Sequence, residues 1–321
     1  QAPARRSCGQ RAPLQRVRLG AQCSTMSTGL PRPMTAESCV RLLQEVPKLA
    51  VLLEPVRLIF CPNAKAGTTT VNTLLRTLLD SRYLGPQRQR PIVASSHVVR
   101  AGQRESLANH TEHGRMNASR AQAFCRSGEV FSVTIARNPW SRVVSAYVGK
   151  VADDNHTQAP HHSLARIRAW YGLGSAASIS FSQFVRWLGR DKTDDNAHWR
   201  PHSRQCAPSS HPYSFVARAE TLEADLRTLM RRVGLPESLV VAEHISSASK
   251  CQTSERCAAA LIRQVGPDWA TLRSEEVLAR MYRSDPAHDL RSAVRRAFAA
   301  DVKAQNYTFP GASFKLKRGN K

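Results

Sequence analysis

The stretch Thr134-Ile-Ala-Arg-Asn-Pro-Trp-Ser-Arg-Val-Val-Ser-Ala-Tyr147 decides the fold. Leading into it, Val130 to Ala136 is apolar and β-branched, as a buried strand is. Arg137-Asn-Pro-Trp makes the turn, and Ser141 to Val151 continues as a helix whose Val143, Val144, Tyr147 and Val151 face the sheet. Pro139 suits the first helical turn, where its missing N–H has no partner to lose. A unit of the same kind precedes it. Val56 to Cys61 reads as a strand, Pro62-Asn-Ala-Lys-Ala-Gly-Thr-Thr-Thr70 as a turn, and Val71, Leu74, Leu75, Leu78 and Leu79 recur at helical spacing. Two buried strands that each feed a helix predict an α/β fold with a parallel sheet.

Outward from these units, Ala36 to Leu43 reads as a helix and Ile92 to Val99 as a further strand, followed by polar surface excursions. From Phe181 onward the pattern is helical: Phe181 to Leu188, Leu222 to Val233, Ala258 to Val265, Val277 to Tyr282 and Leu290 to Val302. Residues 1–35 carry six Arg, four Pro and no acid, which reads as a basic disordered stem. A single domain is expected over 36–314, with a short basic tail at 315–321.

The 321 residues carry 47 Lys plus Arg against 24 Asp plus Glu, a formal charge of +23 that selects anionic partners by sign alone. Nothing matches a nucleic-acid-binding module, so no nucleic-acid partner is expected. Eight cysteines and sequons at Asn109, Asn117, Asn155 and Asn306 point to the secretory route. Cys251 and Cys257 read as closing a small loop and Cys206 as pairing at a distance, whereas Cys61, ending a buried strand, reads as a free core thiol. The most apolar stretch, Val46 to Phe60, is broken by Pro47, Lys48, Glu54 and Pro55, so a membrane is expected only through an N-terminal anchor outside this chain.

The chemistry concentrates in the two turns. Lys65 and Gly67 followed by Thr68, Thr69 and Thr70 at a helix start provide a point charge, close backbone approach and free N–H groups, which together suit an oxyanion. The order differs from a Walker A loop, because Lys65 precedes Gly67. In the second turn Arg137 stands at the carboxyl end of a strand, with Arg142 and Ser145 following on one helical face. Two Arg and a Ser converging beside a second anion turn favour a phosphate.

Pro62 to Thr70 and Arg137-Asn-Pro139-Trp-Ser-Arg142-Val-Val-Ser145-Ala-Tyr147 resemble the nucleotide-binding motifs of the Golgi carbohydrate sulfotransferases, a family that includes the chondroitin and dermatan enzymes. Phe181 to Leu188 and Asn196-Ala-His198-Trp199-Arg-Pro201 are similar to further family segments, so the resemblance runs from about residue 56 to about 310. It implies a P-loop-like three-layer α/β fold with a central, mostly parallel sheet flanked by helices and a helical C-terminal half. It further implies transfer of a sulfuryl group from 3′-phosphoadenosine 5′-phosphosulfate (PAPS) to a carbohydrate hydroxyl, without a metal, in the Golgi lumen or elsewhere on the secretory route.

On this resemblance Lys65, Ala66, Gly67 and Thr68 to Thr70 bind the 5′-phosphosulfate, while Arg137, Ser145 and, more weakly, Arg142 bind the 3′-phosphate. His97 is the first candidate for the base that takes the acceptor proton, and His198 the second. An anionic glycan is the expected acceptor. A small hydroxylated metabolite, or a glycan-binding protein without catalysis, are the alternatives. The chain departs from the family pattern at Ala64, where a Pro usually stands, and at Asn138, where an acid usually stands. These departures predict a looser loop and one missing charge.

Overall fold

The computed structural model describes residues 32–45, 51–53, 56–80, 92–93, 118–152, 162–206, 213–240, 251 and 254–310, all within one compact unit. His97, the sequons at Asn109, Asn117 and Asn155, and the 315–321 tail lie outside the described residues, as does the stem as far as residue 31.

Five strands form one sheet in the order β3-β1-β2-β4-β5. They are β1 (Val51–Leu53), β2 (Leu58–Cys61), β3 (Ile92–Val93), β4 (Phe131–Ala136) and β5 (Phe215–Arg218). The expected parallel arrangement holds where the two strand-turn-helix units meet, for β2, β4 and β5 pair in parallel. The other edge is antiparallel, with β1 joined to β2 and to β3. Two of these strands escape the sequence reading. β1 is three residues long inside a Pro-interrupted run, and β5 has four residues with a half-buried pattern, both too short for a period to register. The strand expected over 92–99 is described only at Ile92–Val93.

Successive residues of β1 and β2 face opposite ways and so build two layers. Leu52 and Ile59 pack with Cys39 and Leu42 of α1 (Ala36–Glu45) and with Phe124 and Cys125 of α3 (Ala118–Arg126). Leu53, Leu58 and Phe60 point the other way, against Val71, Leu74, Leu75 and Leu78 of α2 (Thr68–Asp80) and against Leu226 and Leu229 of α7 (Leu222–Arg232). Fully burying each such side chain contributes roughly 1.5–3 kcal/mol relative to leaving it exposed. The result is helix, sheet, helix.

The helical C-terminal half packs on α4 (Pro139–Ala146) and on the π-helical turn Tyr147–Ala152 that continues it. It comprises α5 (His162–Trp170), α6 (Phe181–Leu188), α8 (Glu255–Val265), α9 (Ser274–Met281), α10 (Leu290–Ala297) and α11 (Ala299–Gln305).

Disulfides join Cys39 to Cys125, Cys61 to Cys206 and Cys251 to Cys257. The reading of Cys61 as a free thiol is therefore wrong. A buried strand end looks like plain core in sequence, and its partner arrives from 145 residues further on.

Candidate active site

Parallel register brings three strand ends to one edge, with Cys61 level with Thr134 and Ala136 level with Arg218. The turns 62–67, 137–138 and 219–220 therefore leave the sheet side by side, where open α/β sheets bind ligands. The third turn is tied to the second, because Ala219 N donates to Ala136 O at 2.8 Å.

In the first turn Lys65 and Gly67 adopt left-handed backbone, with φ of 62° and 82°. Non-glycine residues rarely take this conformation, and it recurs at ligand-binding turns. Gly67 suits this backbone, and a Cβ there would also press on Leu222 Cδ2. Ala66 is fully buried against the sheet, Thr68 opens α2, and Thr70 is buried within its first turn. Thr69 falls in the same turn. The Lys65 ammonium reaches across to the π-helical turn, where a Cβ on Gly149 would lie 2.6 Å from its Nζ. Single π-helical turns concentrate at functional sites.

The loosening expected from Ala64 is offset by side-chain hydrogen bonds on either side of it. Buried Asn63 donates through Nδ2 to Ile135 O at 2.8 Å and to Thr134 Oγ1 at 3.1 Å. Ala64 N donates to Gln205 Oε1 at 3.4 Å, and Gln205 Nε2 donates in turn to Ala197 O and Arg200 O. The Cys61–Cys206 disulfide ties the same two segments together.

The two turns meet directly: Arg137 Nη1 donates to Lys65 O at 2.8 Å. Burial pushes the Arg137 guanidinium below its usual range, and Glu220 pulls it partway back. Glu220 also accepts the Asn138 N–H at 2.8 Å. The carboxylate missing at position 138 thus comes from the third strand end. Asn138 itself caps α4 by accepting the Trp140 N–H at 3.1 Å, and its Nδ2 donates to Thr308 O at 2.8 Å. Ser145 is buried on α4.

Arg142 is placed differently from Arg137. It is 1% exposed and sits behind the first turn. Its Nε donates to Ala64 O at 3.3 Å, its Nη2 donates to Arg200 O, and its Nη1 lies 3.8 Å from Asp301 Oδ2. Burial lowers its pKa, Asp301 opposes the shift, and the like charge of Arg137 adds to it. Asp301 accepts the N–H groups of His202 and Ser203 at 2.7 and 2.9 Å. Arg142 is thus a brace for the loop.

His198 is half-buried in the segment that Gln205 and Arg142 fasten to the first turn, with its N–H donating to Asn196 Oδ1 at 3.0 Å. His202, four residues on, escapes the sequence reading. It is 3% exposed, and burial first, then Arg142 and Arg137, hold it well below the usual histidine range, so it is neutral at physiological pH. Glu220, Gln205 and Asp301 also escape it. Glu220 alone carries a local signal, since it follows a short apolar run and precedes a helix, as Lys65 and Arg137 do.

With two cationic strand-end turns in contact, the match of the Sulfotransferase family model (Sulfotransfer_2) to residues 51–287 falls on this framework. The chain belongs to the Sulfotransferase family. Among the chain's curated relatives, carbohydrate sulfotransferase 10 of Danio rerio is 25% identical over 197 residues, 56% of this chain and 50% of that protein. Carbohydrate sulfotransferase 14 of Danio rerio is 30% identical over 113 residues, covering 33% and 31%. Carbohydrate sulfotransferase 8 of Mus musculus is 29% identical over 197 residues, covering 57% and 43%. The chain spans half or less of the length of these relatives. No solved structure matches it. Asp301, which faces Arg142, and Thr308, whose carbonyl accepts from Asn138, lie beyond the matched residues.

Proposed function

We propose that this chain transfers a sulfuryl group from PAPS to a hydroxyl of a carbohydrate acceptor. The observation that carries the reading is the Arg137-to-Lys65 hydrogen bond, which joins two anion-suited turns at one sheet edge. The residues fit the donor: Arg137 is a desolvated cation that makes no ion pair among the described residues, and such a group gains most from a bound phosphate. When bound, PAPS supplies an activated sulfuryl group on a good leaving group.

The N–H groups at the start of α2, with Thr68, Thr69 and Thr70, hold the 5′-phosphate, alongside Ala66 and Gly67. Lys65 neutralises the oxygens that gain charge as the sulfur–oxygen bond breaks. Arg137 and Ser145 hold the 3′-phosphate, and Arg142 keeps the loop in shape behind them. A histidine takes the acceptor proton, His97 first and His198 second. His202 is too deeply desolvated for this work, since its buried ring resists taking the proton. The three disulfides suit an oxidising secretory compartment such as the Golgi lumen.

Calorimetric titration with adenosine 3′,5′-bisphosphate, followed by transfer from labelled PAPS to a glycan panel, tests the reading. Tight binding is expected in the wild type, with a loss of at least about tenfold in Lys65→Ala and Arg137→Ala, equivalent to ~1.4 kcal/mol or more. A wild-type chain that does not bind the bisphosphate refutes it.

A further inference from the structure

Several arginines on the described surface are matched with acids. Arg166 pairs with Asp195, Arg200 and Arg204 with Asp194, Arg227 with Glu223, Arg231 with Glu237 and Arg280 with Asp268. Arg186 and Arg190 are among those that are not. Both are exposed, and neither makes an ion pair among the described residues. Each is stacked on an aromatic ring instead, Arg190 over Trp170 at 4.6 Å and Arg186 over Tyr171 at 5.9 Å.

The rings form a platform. Trp170, at the end of α5, is 36% exposed, one of two large hydrophobic residues so open among those described. It packs against Tyr171 at 4.3 Å and is backed at 5.7 Å by Trp187 of α6, which is itself buried. The platform is held from both sides: Tyr171 Oη donates to Gln183 O at 2.9 Å, and Arg168 Nε donates to Ala177 O at 2.9 Å. Arg186 lies in the last turn of α6 and Arg190 two residues beyond its end, where Arg190 N donates to Trp187 O at 3.1 Å, and both guanidiniums stand over the Trp170–Tyr171 pair. A guanidinium stacked on a ring keeps its edge N–H groups directed outward, preorganised for a carboxylate or sulfate.

We propose that Trp170, Tyr171, Arg186 and Arg190 form an acceptor-binding surface separate from the donor turns. It takes an anionic oligosaccharide, with a sugar ring lying on the Trp170 indole and acidic substituents on the two guanidiniums. Two uncompensated cations beside an open aromatic ring complement that chemistry, and a neutral or purely apolar partner leaves the charges unmatched. This inference rests on the carbohydrate reading of the acceptor.

The test is fluorescence anisotropy with a labelled chondroitin sulfate decasaccharide, and a neutral laminarin decasaccharide as control, at physiological salt. Wild type binds the sulfated chain, and both Arg186→Gln/Arg190→Gln and Trp170→Ala weaken that binding about tenfold, ~1.4 kcal/mol. Affinity for adenosine 3′,5′-bisphosphate is unchanged in both variants, so failure here is distinguishable from failure of the donor site. Should Trp170→Ala destabilise the fold, the arginine pair alone decides. Unchanged binding in the arginine variant, equal binding of the neutral chain, or no binding by wild type overturns the proposal.

Discussion

Replacing Asp301 with Ala removes the carboxylate that faces Arg142 at 3.8 Å and accepts two backbone N–H groups. The guanidinium is 1% exposed and Asp301 is 4% exposed, so water cannot take over the lost contacts. Breaking a buried pair from one side costs about 3–5 kcal/mol, because a charge is stranded in the interior. For a domain of this size each kcal/mol shifts Tm by roughly 2–4 °C, so a fall of about 10 °C is expected by differential scanning calorimetry. The double variant Arg142→Met/Asp301→Leu removes both charges and recovers part of that loss, the N–H groups of His202 and Ser203 still lacking their acceptor. Its affinity for adenosine 3′,5′-bisphosphate stays low, because nothing then holds the carbonyls of Ala64 and Arg200. A Tm for Asp301→Ala within about 2 °C of wild type refutes the reasoning, as does full bisphosphate affinity in the double variant.

Gly149→Ala drives a methyl group into the space of Lys65 Nζ, which is the mobile end of its side chain. The fold therefore tolerates the change while turnover falls, on the order of tenfold to a hundredfold, as expected for a displaced catalytic group; unaltered turnover at unaltered Tm counts against Lys65. His202 sets an acid limit. Its folded pKa lies well below 6.5, so between the two values the unfolded chain holds more protons and stability rises with pH. The contribution is fully present above about pH 6.5 and is lost as pH falls, by up to ~1.4 kcal/mol per pH unit. In melts over roughly pH 5 to 7.5, His202→Gln flattens this slope, and an identical slope in the variant removes His202 from the account.

Much of the proposed donor site was legible because its signals are local. A strand, a turn and a helix occupy consecutive residues, so Lys65, Gly67, Arg137 and Ser145 announced themselves by spacing. The brace was not legible. Arg142 reads as a nucleotide ligand beside Arg137, yet it is turned inward, and the reason lies in Asp301, far along the chain on α11. Glu220 in the role left open by Asn138 is a similar case, as it depends on β5, a strand too short to read.

The sequence by itself determined the two strand-turn-helix units, the cationic turns and the family, since periodicity, turn chemistry and motif order survive without knowledge of contacts. Tertiary structure alone decided that Cys61 is bonded, that Arg142 supports the loop, that His202 is neutral, and that Arg186 and Arg190 stand unmatched on an aromatic platform. Each of these depends on burial or on a partner distant in the chain. Desolvation and pairing act through space, and residue order records neither.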